Sequence, residues 1–222
     1  MHYLNSSNLL DVPERYDRLR RTRLLSGTAM ERWQASRVAV IGAGNIGSRF
    51  APEIVRSGAS VVVIDPEIGC VENLGTQAVI SGLPKAQAVQ QACDEILPGR
   101  AQAWLADVRH VGPGQLAAMD LLVDATDDPD LTWPLTMLSN GLDRPLMRLA
   151  VDGSGEREMG RVAVSHGGGD HACAACSYAV DDISGPRRRQ PCLGDAALER
   201  PDTVASGAIG MAIAGQTRQA GE

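Results

Sequence analysis

Apolar residues in this chain gather in short unbroken runs, separated by glycine-rich, alanine-rich or polar stretches. Val38-Ala39-Val40-Ile41, Val61-Val62-Val63-Ile64 and Leu121-Leu122-Val123 carry no polar residue on either face. A strand apolar on both faces is one covered on both sides, the condition of a parallel sheet with helices above and below it. The pattern predicts strands over residues 37–41, 61–65, 101–105, 121–124, 145–151 and 161–164. Between them it predicts helices over 14–25, 29–34, 46–57, 83–97 and 116–119, a helix start at Asp127-Asp128-Pro129-Asp130, and a small-residue helix over 203–216. The 83–97 helix is stopped by Pro98-Gly99. Pro52 is expected to distort the 46–57 helix unless that helix begins late enough to hold it in the first turn.

Strand and helix alternate, so the fold class is α/β: a Rossmann-like, mostly parallel sheet with helices on both faces, plus a long crossover loop. The 222 residues fit a single domain, 1–222. It divides into a helical lead-in (1–36), a core (37–165), a cysteine-containing crossover loop (166–201) and a C-terminal helix (202–222). Aromatic content is only 3%, with one Phe, so the core must be built from Val, Leu, Ile and Ala.

Chemistry enters at the first strand. Val38-Ala39-Val40-Ile41 runs straight into Gly42-Ala43-Gly44-Asn45-Ile46-Gly47, a G-x-G-x-x-G turn opening a helix. The first glycine permits the turn, the second lets backbone N–H groups approach a phosphate, and the third lets helix and strand pack closely. Asp65 closes the second apolar run about 20 residues on, where a ribose-binding carboxylate belongs. Together these features predict an adenine-nucleotide site.

Net charge is −6, so no general nucleic-acid surface is suggested, although the run from Arg18 to Arg23 and Arg187-Arg188-Arg189 are local exceptions. No apolar stretch approaches the roughly 18 residues needed to span a bilayer, and the N-terminus lacks the basic and apolar regions of a signal peptide. A cytoplasmic location is expected. Five cysteines, two of them as Cys173-x-x-Cys176, favour metal or thiol chemistry over a disulfide framework.

Several short motifs occur in one order: Arg15-Tyr16-x-Arg18, the glycine turn, Asp65-Pro66-Glu67, Asn73-Leu74-x-x-Gln77, Gly82-Leu83-Pro84-Lys85, Asp124-Ala125-Thr126-Asp127-Asp128 and Cys173-x-x-Cys176. In this combination the chain resembles the ThiF/MoeB/HesA superfamily, bacterial relatives of ubiquitin-activating enzymes, from about residue 14 to about residue 219. The resemblance implies an adenylyltransferase. Such an enzyme uses ATP and magnesium to adenylate the C-terminal carboxylate of a ubiquitin-like or sulfur-carrier protein, or of a peptide, then passes the acyl group to a thiol or sulfur donor.

By resemblance, Gly42, Gly44, Asn45, Gly47, Asn73 and Gln77 bind the nucleotide, and Asn73 orders its triphosphate. Asp65, with Glu67 as a second candidate, holds the ribose. Lys85 contacts the phosphates and Asp127 helps hold magnesium. Arg18 reaches the nucleotide of a partner subunit, which implies a homodimer. Cys192 is the candidate acceptor thiol, with a role as a zinc ligand or a spare loop cysteine left open.

Three departures from the family pattern stand out. Thr76 occupies the place of an arginine that touches phosphate, the Gln77-to-Lys85 link is short, and only one C-x-x-C pair is present. Two thiolates do not complete a tetrahedral zinc site, so His166, His171 and Cys192 are the local candidates to join Cys173 and Cys176. A catalytically weakened nucleotide-binding scaffold of the same fold, and an NAD-dependent oxidoreductase, are the alternatives. ATP–magnesium against NADH binding separates the second of these.

Overall fold

The computed structural model describes residues 13–21, 27–126, 128–152, 159–168, 172, 173 and 176. Its strands are β1 (Arg37–Ile41), β2 (Ser60–Ile64), β3 (Ala101–Trp104), β4 (Leu121–Asp124), β5 (Leu146–Asp152) and β6 (Met159–Ser165). They form one sheet in the order β3-β2-β1-β4-β5-β6. The first five are parallel and β6 runs antiparallel to β5. The sheet therefore grows outward in both directions from β1, and a crevice opens where the order reverses, at the C-terminal ends of β1 and β4.

The helices are α1 (Asp17–Arg20), α2 (Gly27–Ala35), α3 (Gly47–Arg56), α4 (Lys85–Ile96), α5 (Pro113–Ala117) and α6 (Thr132–Leu142). Two apolar clusters show how the alternation of strand side chains is used. Val38, Val40, Val61, Val63, Val123 and Met147 pack on one face with Met30, Phe50, Ile54 and Val89 of α2, α3 and α4. Ala39, Ile41, Val62, Ile64 and Leu122 pack on the other with Leu116 of α5 and Leu135 of α6. Helices thus cover both faces, as unbroken apolar strands require.

Element boundaries differ from the expected ones in places with a local cause. The lead-in helix starts as a 3-10 turn, Pro13–Tyr16, before one turn of α-helix at α1. The helix before β4 begins earlier than expected, because Pro113 occupies its first turn with its φ already set for a helix. Pro52 lies in the second turn of α3, yet the helix runs through it. Proline costs a helix interior about 3 kcal/mol. Phe50, Ile54 and Val55 of α3 are fully buried against the sheet, each worth about 1.5 to 3 kcal/mol, so packing outweighs the lost bond. The expected C-terminal helix, with Asp127, His171, Cys192 and the Arg187–Arg189 run, lies outside the described residues.

Candidate functional site

The glycine turn is set by its backbone. Gly42 has φ +94°, a conformation side chains other than glycine rarely adopt, and its N–H donates to the Ile64 carbonyl at 2.9 Å. A Cβ on Gly47 would overlap the Gly42 carbonyl oxygen, so the third glycine is demanded by the closeness of turn and helix. A Cβ on Gly44 would meet nothing within 4 Å. The middle glycine therefore faces open space. Ser48 N–H donates to the Gly44 carbonyl at 3.0 Å, joining the turn directly to α3.

Asp65 closes the turn from the neighbouring strand. One carboxylate oxygen accepts the Ala43 N–H at 2.7 Å and the other accepts the Glu67 N–H at 2.8 Å. Burial pushes its carboxyl above the ordinary value, opposed by those two hydrogen bonds and by the positive charge of Lys85. Each oxygen keeps a further lone pair, so a hydroxyl-bearing ligand can still donate to it.

Lys85 is the only lysine of the chain and is 3% exposed at the first position of α4. Its Nζ donates to Glu67 Oε2 at 2.6 Å, and its backbone N–H donates to the Glu67 carbonyl at 2.9 Å. The Gly69 N–H donates to the Leu83 carbonyl, and Ile68 pairs with Pro84, so the segments before and after the short link are zipped together. That pairing, rather than the length of the link, fixes the lysine beside Asp65 and Glu67.

Asn73 organises the loop between them. Its side-chain oxygen accepts the Cys70 N–H at 3.0 Å and the Cys70 thiol at 2.9 Å. Its backbone carbonyl accepts from Gln77 and Thr76. With the oxygen occupied, the amide NH₂ is the end that can serve an anion. The side-chain oxygen of Gln77 is buried without a hydrogen-bond partner. Two bonds hold the loop onto the first turn of α3: Ala78 N–H donates to Ser48 Oγ at 3.1 Å, and Arg49 Nη2 donates to the Thr76 carbonyl at 3.2 Å.

The opposite wall comes from β4. Asp124 is fully buried and its Oδ1 accepts from both the backbone N–H and the hydroxyl of Thr126. Its Oδ2 lies 3.7 Å from Nε of Arg148, itself 4% exposed on β5. Burial raises the Asp124 carboxyl, with Thr126 and Arg148 opposing. A Cβ on Gly42 would lie 3.0 Å from Thr126 Cγ2, so this corner abuts the glycine turn.

The turn glycines, Asn45, Asp65, Glu67, Asn73, Gln77 and Lys85 thus share one edge of the sheet. Arg18 does not join them. It is exposed on α1, where Arg15 Nη2 donates to the Ile96 carbonyl at the end of α4 and Tyr16 packs beside Gly58. Those helix ends lie at the opposite edge, a strand length of roughly 15 Å from the turn. Arg49, Ser48 and Arg148 also have side chains at this edge, and no motif marks them. Arg148 has a signal, a single charge inside the apolar run Leu146–Val151; Arg49 has none beyond its closeness to the turn.

The thiols divide by burial. Cys93 is buried and its thiol is pushed up to about 12 by desolvation and by the charge of Asp94. Cys176 is exposed, its thiol held below the ordinary value by hydrogen bonds from Cys173. Cys173 and Cys176 bring their sulfurs to 3.3 Å. No third His, Cys, Asp or Glu joins them in a metal-binding group among the described residues. A cavity of about 410 Å³ lined by Trp33, Asp120, Met147 and His166 lies at the other edge of the sheet, away from the glycine turn. No helix among the described residues is long and apolar enough to cross a membrane.

Comparison with known proteins agrees with this architecture. Saccharomyces cerevisiae tRNA threonylcarbamoyladenosine dehydratase 1 is 30% identical over 123 residues, 48% of this chain and 29% of the yeast protein. The crystal structure of Escherichia coli MccB superposes with a TM-score of 0.67 at 14% identity, covering 87% of this chain and 56% of that one. MccB with succinimide gives 0.64 at 14% identity, covering 86% and 57%. The chain thus spans little more than half of the MccB chain and under a third of the yeast protein. The ThiF family matches residues 16–215, nearly the whole length, and this chain belongs to the ThiF family.

Proposed function

We propose that this chain is an ATP-dependent adenylyltransferase that activates a carboxylate. The observation carrying the reading is Lys85, a buried cation held by Glu67 at the same sheet edge as the glycine turn. A dinucleotide oxidoreductase needs the turn and Asp65 but has no use for that cation. Adenylation brings two anions together, and only fixed positive charge and N–H donors make that approach tolerable.

The residues fit ATP. Gly44 leaves the turn open to a phosphate, the start of α3 adds N–H donors, and Gln77 offers a buried unpartnered acceptor. In this reading Asp65, or Glu67, accepts from the ribose hydroxyls, Asn73 donates its amide to the triphosphate, and Lys85 leaves Glu67 for phosphate oxygens. Asp127 would help hold magnesium, which would supply further neutralisation of the phosphates. The substrate carboxylate attacks the α-phosphorus, a C–O–P linkage forms, and the bond to the β-phosphate breaks to release pyrophosphate. Arg18, distant from its own turn, serves the site of a second subunit, making the enzyme a homodimer. The acceptor would be a thiol or sulfur donor, with Cys192 the candidate thiol, and Cys173 and Cys176 would hold zinc with ligands from outside the described residues.

The substrate in this reading is the C-terminal carboxylate of a peptide or of a ubiquitin-like or sulfur-carrier protein. The family membership supports it. A carboxylate borne by a modified tRNA nucleoside is a second reading, favoured by the name of the yeast relative and opposed by the net charge of −6. Thermal stabilisation by ATP–magnesium but not NADH tests the nucleotide assignment. Carboxylate-dependent ATP–pyrophosphate exchange, abolished in Asp127→Ala with the fold intact, tests the chemistry. Stabilisation by NADH alone sinks the reading. No exchange with any carboxylate leaves a binding scaffold.

A further inference from the structure

We propose that Arg49 is a phosphate-binding residue of this site, supplying from α3 the cation absent at position 76. This rests on the adenylation reading and extends it to a residue that the motif order does not single out.

Arg49 is the third residue of α3, the helix that opens at the glycine turn. Side chains on a helix lean toward its N-terminus, which for α3 is the end at the glycine turn. One Nη donates to the Thr76 carbonyl at 3.2 Å, placing the charge on the loop that faces the turn. Nε is buried and has no hydrogen-bond partner. Arg49 belongs to none of the ion pairs among the described residues. A guanidinium with no carboxylate partner keeps its charge uncompensated, and its planar fork suits phosphate oxygens. The helix N-terminus adds to the same positive field.

The resemblance implies a phosphate-touching arginine at position 76, where this chain has Thr76. An arginine there would project a guanidinium from the 70–78 loop. Thr76 cannot, and Arg49 instead crosses from α3 and docks on the backbone of that same residue. The cation thus arrives in the same region from a different element, and the site retains its two positive side chains, Lys85 and Arg49.

A purely structural Arg49 would only fasten the loop to α3, so the test must separate charge from fastening. ATP–magnesium and adenosine binding are measured on the purified chain by calorimetry, for wild type, Arg49→Gln, Arg49→Met, and Arg49→Met combined with Thr76→Arg. Arg49→Gln keeps a donor for the Thr76 carbonyl and removes the charge. It should weaken ATP binding by roughly tenfold or more while leaving adenosine binding unchanged, since only ATP presents phosphates. Arg49→Met should do the same, and Thr76→Arg should restore ATP affinity in that background. ATP binding like wild type in Arg49→Gln overturns the assignment, as does equal loss of ATP and adenosine. Failure of Thr76→Arg to rescue a folded Arg49→Met also overturns it. A wild-type chain that binds adenosine but not ATP–magnesium brings down the adenylation reading itself. Normal ATP binding in both wild type and variants brings down only Arg49.

Discussion

Two buried carboxylates stand at the ends of the two parallel strands that flank β1, and they are held in different ways. Asp65, after β2, is held by backbone: the N–H groups of Ala43 and Glu67 take one oxygen each. Asp124, at the end of β4, is held by side chains: the Thr126 hydroxyl on one oxygen, beside that residue's own N–H, and the Arg148 guanidinium near the other. Burial pushes both carboxyls upward. The first corner braces the glycine turn, and the second braces the segment leading to Asp127. A corner built from backbone donors depends on the course of the chain. A corner built from an ion pair depends on one side chain arriving from another strand, and so is easier to break by substitution.

The largest effect is therefore expected at Arg148. Arg148→Met leaves Asp124 buried without its cation and should cost about 3 to 5 kcal/mol in urea melts. Adding Asp124→Asn should recover a good part of that loss, because the stranded charge is removed with its partner. A cost under about 1 kcal/mol for the single variant would show that the pair does not hold this corner.

A smaller effect is expected at Asp65. Asn offers one acceptor oxygen where Asp offers two, so Asp65→Asn leaves one buried N–H unmatched, at about 1 to 3 kcal/mol. The variant also changes the pH dependence. With its folded value raised above 3.8, Asp65 binds a proton more readily in the folded chain than in the unfolded one. Its contribution is fully present below about pH 3.8 and is lost as pH rises through the folded value. Stability of Asp65→Asn should accordingly decline less than that of wild type on raising the pH above 3.8, by chemical denaturation at a series of pH values. An identical decline in both would place the titration elsewhere.

The smallest effect on stability is expected at Glu67, whose side chain is about half exposed where it meets Lys85. Glu67→Gln should cost less than about 1 kcal/mol, since water screens that pair from one side. A loss larger than that of Asp65→Asn would reverse the ranking and make the Lys85–Glu67 pair the main brace of the corner.

The difference between the corners also governs what could be read without coordinates. The β1 strand, the glycine turn and Asp65 follow each other at fixed spacing, and a strand–turn–helix unit closes on itself through local geometry. Its chemistry was legible because backbone groups have the same donors whatever the sequence. Lys85 was legible as a residue, while its place was not: the zipper between residues 67–69 and 82–85 decides it, through hydrogen bonds that no spacing rule describes. Taken locally Pro52 is a helix breaker, and the buried face of α3 overrides it.

The sequence by itself determined the alternating α/β plan, the parallel core and the nucleotide turn, because strand burial and turn conformation are written in residue type over a few positions. Tertiary structure alone decided which charges meet. Arg148 reaches Asp124 because β5 pairs with β4, and Arg49 reaches Thr76 because α3 packs beside the 70–78 loop. It also set Arg18 at the far edge from its own glycine turn, since α1 docks on the ends of α3 and α4. Those contacts depend on strand order and helix packing, which bring together residues that no local pattern links.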